Sequence, residues 1–177
     1  MRSLPVGAVV AAIAMFLLGY VFFDLLHGMM LSPLDPAAAT AVQGALGTNL
    51  PASGTYMAPA TPEAWMAGPG ALIMFTAAGD APTMGMAMGM GFLHFLISAF
   101  LIGLALKGVG GDSSRRMKAA VMFGLAASFF MHLGDPVWYG FGWRSALFIF
   151  VADGVMFIVG GLILAKWFTD DGPAAAA

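Results

Sequence analysis

The chain has 177 residues, of which 60% are hydrophobic and only 9% are charged, and its formal net charge is −2. A soluble domain usually carries about 25% charged residues, because its surface has to face water. Sequence composition therefore excludes an ordinary soluble globular protein and indicates that lipid surrounds most of the chain. The sparse cations argue against a nucleic-acid partner. The absence of cysteine excludes disulfides, thiolate catalysis and cysteine metal sites.

Four stretches are long and apolar enough to be membrane-spanning helices, for which about 20 residues are needed. They cover about residues 5–30, 84–106, 117–133 and 145–165. The first stretch is too long for a secretory signal peptide and carries Asp24 near its end, so we expect it to be retained. The sequence thus predicts an all-α fold, a four-transmembrane-helix bundle that forms a single integral membrane domain over residues 1–177.

The distribution of lysine and arginine predicts the orientation of these spans. Six cations fall at positions that lie on the same side of the membrane. They precede the first span, lie in or beside the link between the second and third spans, or follow the fourth: Arg2, Lys107, Arg115, Arg116, Lys118 and Lys166. The long segment 31–83 contains no Lys or Arg, and the last loop contains only Arg144. By the positive-inside rule both termini are cytoplasmic, and segment 31–83 is an outer, periplasmic loop of a bacterial inner-membrane protein.

The outer loop 31–83 is rich in proline, glycine and alanine, a composition that we expect to resist regular structure. Tyr56, Trp65 and Phe75 nevertheless offer apolar anchors, which favour an ordered cap over the outer mouth of the bundle. The alternatives are a floppy loop and a partner-docking loop. A short helix is predicted near Thr61–Glu63, with Thr61 as N-cap and Pro62 as the first helical residue.

Two further boundaries can be predicted from capping and breaking residues. Asp112 or Ser113 is placed to cap the third span, because both residue types accept hydrogen bonds from free backbone N–H groups. At the other end, Gly134-Asp135-Pro136 is expected to stop that span, since proline cannot continue a helix. The tail Gly172–Ala177 has low complexity.

The three histidines and two aspartates lie within or at the edge of spans, where an unpaired polar group is costly. Asp24 and His27 are three residues apart and share one helix face. From the helical rise, His94 and Asp153 each lie roughly 13–16 Å below the outer boundary, at matched depth on different helices. They are therefore predicted to form an intramembrane polar pair. His132 is placed, like His27, close to the outer boundary.

Three interpretations of these polar residues remain open. The first is a set of structural polar clasps between helices, each worth about 0.6 kcal/mol. The second is a cofactor or metal site, in which His27 and His132 ligate haem b, or join Asp24 and Asp135 around copper, iron or zinc. The third is a proton or ion relay through Asp24, His94 and Asp153.

The tract from Met84 to Met90 alternates methionine with glycine or alanine. In an extended chain Met84, Met86, Met88 and Met90 would share one face, as a Cu(I) site requires. In a helix only Met84/Met88 and Met86/Met90 pair, while Gly85 and Gly89 form a small-xxx-small surface for close helix packing. The helical interpretation is favoured because the tract opens the second span. Gly154 and Gly160-Gly161 are predicted to allow similar packing on the fourth span.

Several short motifs resemble those of a group of small bacterial membrane proteins with four spans. The motifs are Ser53-Gly54-Thr55-Tyr56 with Pro59, Gly68-Pro69, Gly91-Phe92 and Trp138-Tyr139-Gly140-Phe141. The resemblance implies the same four-span topology and an outer loop that packs against the Trp138–Phe141 turn. It implies no activity.

The sequence contains no nucleophile–base arrangement, phosphate-binding loop or paired catalytic carboxylates, so an enzyme is disfavoured. The favoured function is a non-catalytic subunit or accessory protein of a larger respiratory or photosynthetic membrane complex. The alternatives are a haem- or copper-binding protein in electron transfer or metal handling, and a small transporter component. The expected partners are the lipid bilayer and either other membrane subunits or further copies of the chain.

Overall fold

The structure, a computed structural model, describes residues 3–167. Two sequence-based expectations fall outside the described residues. One is the position of Arg2 on one side of the membrane, and the other is the low complexity of the tail Gly172–Ala177. The chain divides into two compact units. One combines the residues up to Ser32 with those from Met88 onward, and the other is Pro33–Ala87.

The prediction of four apolar helices is confirmed. Four helical stretches are long and apolar enough to cross a membrane: Leu4–Leu25, Met84–Val109, Ser113–Tyr139 and Trp143–Trp167. The first consists of α1 (Leu4–Tyr20) and a π-helical turn (Val21–Leu25), and after Leu26 a 3₁₀ turn follows it (His27–Met29). The second is α4 (Met84–Val109) and the fourth is α7 (Trp143–Trp167).

The helix of the third span ends just before Gly134-Asp135-Pro136, as expected, but a second, short helix follows it. Helix α5 (Ser113–His132) is followed after one residue by α6 (Gly134–Tyr139). Pro136 lies in the first turn of α6, where its missing N–H has no helical acceptor to lose. The helical stretch therefore continues seven residues beyond His132.

Helix α7 packs closely against α1 and α5 through glycine, as predicted for Gly154 and Gly160-Gly161. A Cβ built on Gly160 would lie 2.6 Å from Met15 Sδ in α1, and one on Gly161 would lie 2.7 Å from Ala120 Cβ in α5. Gly154 similarly approaches Ser128 Oγ. Helix α4 contributes Ala99, Ile102 and Leu106 to the same buried core, and Phe92 and Phe95 meet Phe16 of α1 edge to face: these contacts complete the bundle.

The unit Pro33–Ala87 contains regular structure that its composition was expected to resist. Its elements are α2 (Pro36–Asn49), β1 (Gly54–Ala58), α3 (Pro62–Ala67), β2 (Ala71–Phe75) and the first turn of α4. Strands β1 and β2 pair antiparallel, with Tyr56 opposite Ile73. Ser53, just before β1, bonds to two residues that follow β2. Its Oγ donates to Asp80 Oδ2 at 2.5 Å and accepts from Ala77 N at 2.8 Å, so the two ends of the hairpin are held together.

Helix starts follow the capping residues in the sequence. Thr61 caps α3 by accepting a hydrogen bond from Ala64 N, with Pro62 as the first helical residue, and this confirms the predicted short helix. Asp112 caps α5 by accepting from Arg115 N at 2.8 Å, which decides between the two predicted capping residues. Asp35 caps α2 in the same way, ahead of Pro36.

Candidate functional site

A close polar contact between two spans joins α5 to α7. His132 Nε2 lies 2.7 Å from Asp153 Oδ2, and the two side chains are 18% and 37% exposed. The atoms are close, but their alignment does not meet the geometry of a hydrogen bond. The pair is therefore a close electrostatic contact between α5 and α7.

A cavity of about 460 Å³ adjoins this pair. Its polar lining comes from three helices: His94 and Ser98 on α4, Ser128 and His132 on α5, and Asp153 on α7. The Ser98 hydroxyl donates to the backbone oxygen of His94 at 2.9 Å, so its hydrogen is already used within α4. The polar groups thus converge on one space from different helices.

The rest of the cavity lining is apolar. It includes Met15 from α1, Phe95 and Leu101 from α4, Met131 from α5, and Met156 and Phe157 from α7. Methionine and phenylalanine offer polarisable, adaptable surfaces to an apolar molecule. A concave, mostly apolar space with a few convergent polar groups is the usual form of a small-molecule site between helices.

Asp153 contacts a different histidine from the one expected. The sequence paired it with His94, whereas the structure places His132 against it and His94 on the same cavity wall. The expectation rested on equal depth counted along each span, which does not say which faces of the helices meet. In the structure His132, in the last turn of α5, lies against Asp153 of α7, and these two helices pack closely at Gly124 and Gly154.

Asp24 and His27 interact through the backbone. His27 Nδ1 lies 2.6 Å from the backbone oxygen of Asp24, so the ring nitrogen donates to a carbonyl and the carboxylate is not its partner. At this point the first span changes from α- to π-helix and then to a 3₁₀ turn. Carbonyls at a helix end lack helical donors, and His27 supplies one.

Arg144 also donates hydrogen bonds to the end of the first span, and its position in the last loop of the sequence did not predict this role. Its Nε donates to the oxygen of Met29 at 2.6 Å and its Nη2 donates to the oxygen of Gly28 at 3.0 Å. A cation at the negative end of a helix is also favoured by the helix dipole. The only cation of the last loop therefore ties the end of the first span to the start of α7.

We expect Arg144→Met to destabilise the bundle by about 1 kcal/mol, because two carbonyls lose a charged donor at an exposed position. Arg144→Lys should recover only part of this loss, since one ammonium does not reproduce the two-pronged guanidinium geometry. The measurement is the free energy of unfolding in mixed micelles. Lys118→Met, which removes an exposed cation elsewhere, is the control, and an equal loss in that variant would contradict the prediction.

The residues predicted to ligate haem or a metal ion are engaged in separate contacts. His132 and Asp135 line one small cavity of about 70 Å³, whereas His27 binds the backbone of its own span. Among residues 3–167 no three His, Asp or Glu side chains form a group that could hold a metal ion. Ligation through His132 Nε2 would require this atom to leave Asp153.

The methionine tract is helical, in agreement with the favoured interpretation. Met84 to Met90 form the first turns of α4, so the four side chains do not share one face. Within the described chain, a Cβ built on Gly85 or Gly89 would meet no atom within 4 Å. Neither glycine therefore has, among residues 3–167, a close neighbour of the kind that Gly160 and Gly161 have.

Comparison of the chain with protein-family models, with curated proteins and with solved structures finds no match.

Proposed function

We propose that the protein is a non-catalytic integral membrane subunit, or accessory protein, of a larger bacterial membrane complex. The supporting observation is the contrast between the glycines of its spans. Gly160 and Gly161 lie against neighbouring helices, as does Gly124, whereas Gly85 and Gly89 of α4 face open space. In membranes, small residues on a helix face allow another helix to approach closely.

The open face of α4 continues beyond the two glycines. Leu93 and Ile97 follow Gly89 at four-residue intervals and are 45% and 53% exposed. Residues four apart lie on one side of a helix, so Gly85, Gly89, Leu93 and Ile97 form a stripe, here called the α4 stripe. A groove at the glycines followed by aliphatic side chains suits a neighbouring transmembrane helix.

The proposed orientation places both termini and the loop 107–118 in the cytoplasm, with the unit Pro33–Ala87 in the periplasm. Its support is the charge distribution. Four cations lie in or beside loop 107–118, and segment 31–83 has none. Arg144, the one cation on the proposed outer side, has a structural role at the end of the first span.

Site-directed cross-linking in native membranes tests the proposal, because a chain without cysteine allows clean single-cysteine variants. Leu93→Cys, labelled with a benzophenone maleimide, is expected to cross-link to a different membrane protein. Leu125→Cys on α5, of similar exposure at 42%, is the matched control and should cross-link much less. Adding Gly89→Leu to Leu93→Cys should abolish the product and release the chain from the large species in native electrophoresis.

Two outcomes would contradict this function. One is a chain that migrates as a monomer from gently solubilised membranes, with equal cross-linking from Leu93→Cys and Leu125→Cys. The other is a product that contains only a second copy of the chain, because the α4 stripe would then mediate self-association.

A further inference from the structure

We infer that the cavity beside His132 and Asp153 is a binding site for an uncharged, lipid-soluble molecule that carries a hydroxyl group, such as an alkylated phenol. The site is separate from the α4 stripe and does not depend on the function proposed above. Its volume of about 460 Å³ lies within the usual range for small-molecule sites, roughly 300–1,000 Å³.

The apolar part of the lining determines the body of the ligand. Phe95 and Phe157 come from α4 and α7, and Met131 and Met156 from α5 and α7. These side chains favour a ring or a branched hydrocarbon over a polar molecule, because no group among them can replace a lost hydrogen bond to water. A lipid-soluble compound would reach them from the bilayer.

Asp153 determines the polar group. Its Oδ2 faces His132, whereas within the described residues no donor reaches its Oδ1. The side chain is 37% exposed and lines the cavity, so its carboxylate can be reached from there. An acceptor without a donor in apolar surroundings is best satisfied by a ligand that donates a hydrogen bond. A hydroxyl group does this, and a ketone or ether does not.

An uncharged donor fits this site better than a charged one. Moving an ammonium group out of water into a mostly apolar space costs several kcal/mol, whereas an uncharged hydroxyl avoids most of this cost. His94 and Ser128 supply further polar atoms on the same wall, and the Ser98 oxygen has a lone pair to accept a second hydrogen bond.

The test compares 4-nonylphenol with nonylbenzene, which differs from it only by the hydroxyl group. Purified protein in lipid nanodiscs is titrated with labelled 4-nonylphenol, and the partitioning into empty nanodiscs is subtracted. Unlabelled nonylphenol is expected to compete about tenfold better than nonylbenzene, as one hydrogen bond to a charged or strongly polar acceptor predicts. In Asp153→Leu this preference should fall to nearly one.

A second pair of variants tests the position of the site without altering its polar groups. Ala127 lines the cavity, whereas its neighbour Ala126 is exposed and does not. Ala127→Phe is expected to reduce saturable nonylphenol binding by at least tenfold, and Ala126→Phe to leave it unchanged. Equal competition by the two compounds in the native protein would overturn the inference, as would full binding in folded Ala127→Phe.

Discussion

Replacing Gly161 by alanine is expected to destabilise the bundle by about 1–3 kcal/mol, the range found for overpacked interiors. The new methyl group would lie 2.7 Å from the Cβ of Ala120. That atom is fixed to the backbone of α5, so α5 and α7 have to move apart. The free energy of unfolding in mixed micelles measures the effect, and Gly161→Leu should prevent the native packing altogether.

Alanine substitutions at two other glycines distinguish the destabilisation caused by steric crowding from the general effect of adding a methyl group. A Cβ on Gly160 would lie 2.6 Å from Met15 Sδ, but methionine is flexible and can turn aside, so Gly160→Ala should cost less than Gly161→Ala. Gly108 has open space around it, and Gly108→Ala should be neutral or slightly stabilising. The same loss in all three variants would show that close approach at Gly161 is unimportant.

The parts of the fold that the sequence predicts well depend on local signals. Four apolar stretches of sufficient length are visible without any tertiary information. Thr61 and Asp112 act within three residues of themselves, and the structure confirms both capping sites. Asp35-Pro36 is the same kind of signal as Thr61-Pro62, and it begins α2. The proline-rich composition of the surrounding segment led us to expect no helix there.

The hairpin is harder to predict because its strands are separated by a helix. Twelve residues, including α3, lie between β1 and β2, so no short turn identifies the pair. The pairing depends on contacts across this insertion, such as Tyr56 opposite Ile73. Ser53 joins Asp80 across a still longer interval.

The partner of Asp153 was harder to predict, because depth along a span does not say which helix faces meet. Counting residues from the ends of the spans matched Asp153 with His94. In the structure α5 and α7 pack closely, and His132 of α5 lies against Asp153 instead. Arg144 shows a different limit, since its acceptors are backbone oxygens more than a hundred residues away. Backbone acceptors leave no mark in a sequence.

Replacing His132 or Asp153 alone is expected to lower the free energy of unfolding more than replacing both residues together. His132→Leu leaves Asp153 without its partner in apolar surroundings, and Asp153→Leu does the same to His132. Each single variant should lose roughly 1–3 kcal/mol of unfolding free energy, less than the roughly 3–5 kcal/mol of a fully buried pair because Asp153 is partly exposed. The double variant His132→Leu/Asp153→Leu should lie within about 1 kcal/mol of the native protein, since hydrophobic replacement of both partners is often neutral.

The double-mutant cycle formed by these variants tests whether the pair mainly stabilises the helix packing or has another role. A simple polar clasp between membrane helices has a coupling energy of about 0.6 kcal/mol, and its single-site losses nearly add. A coupling well above this value, with a stable double variant, means that the pair adds little net stability although each member depends on the other. Polar groups that contribute so little to the fold, yet line a cavity between apolar helices, are then best explained by what the cavity binds.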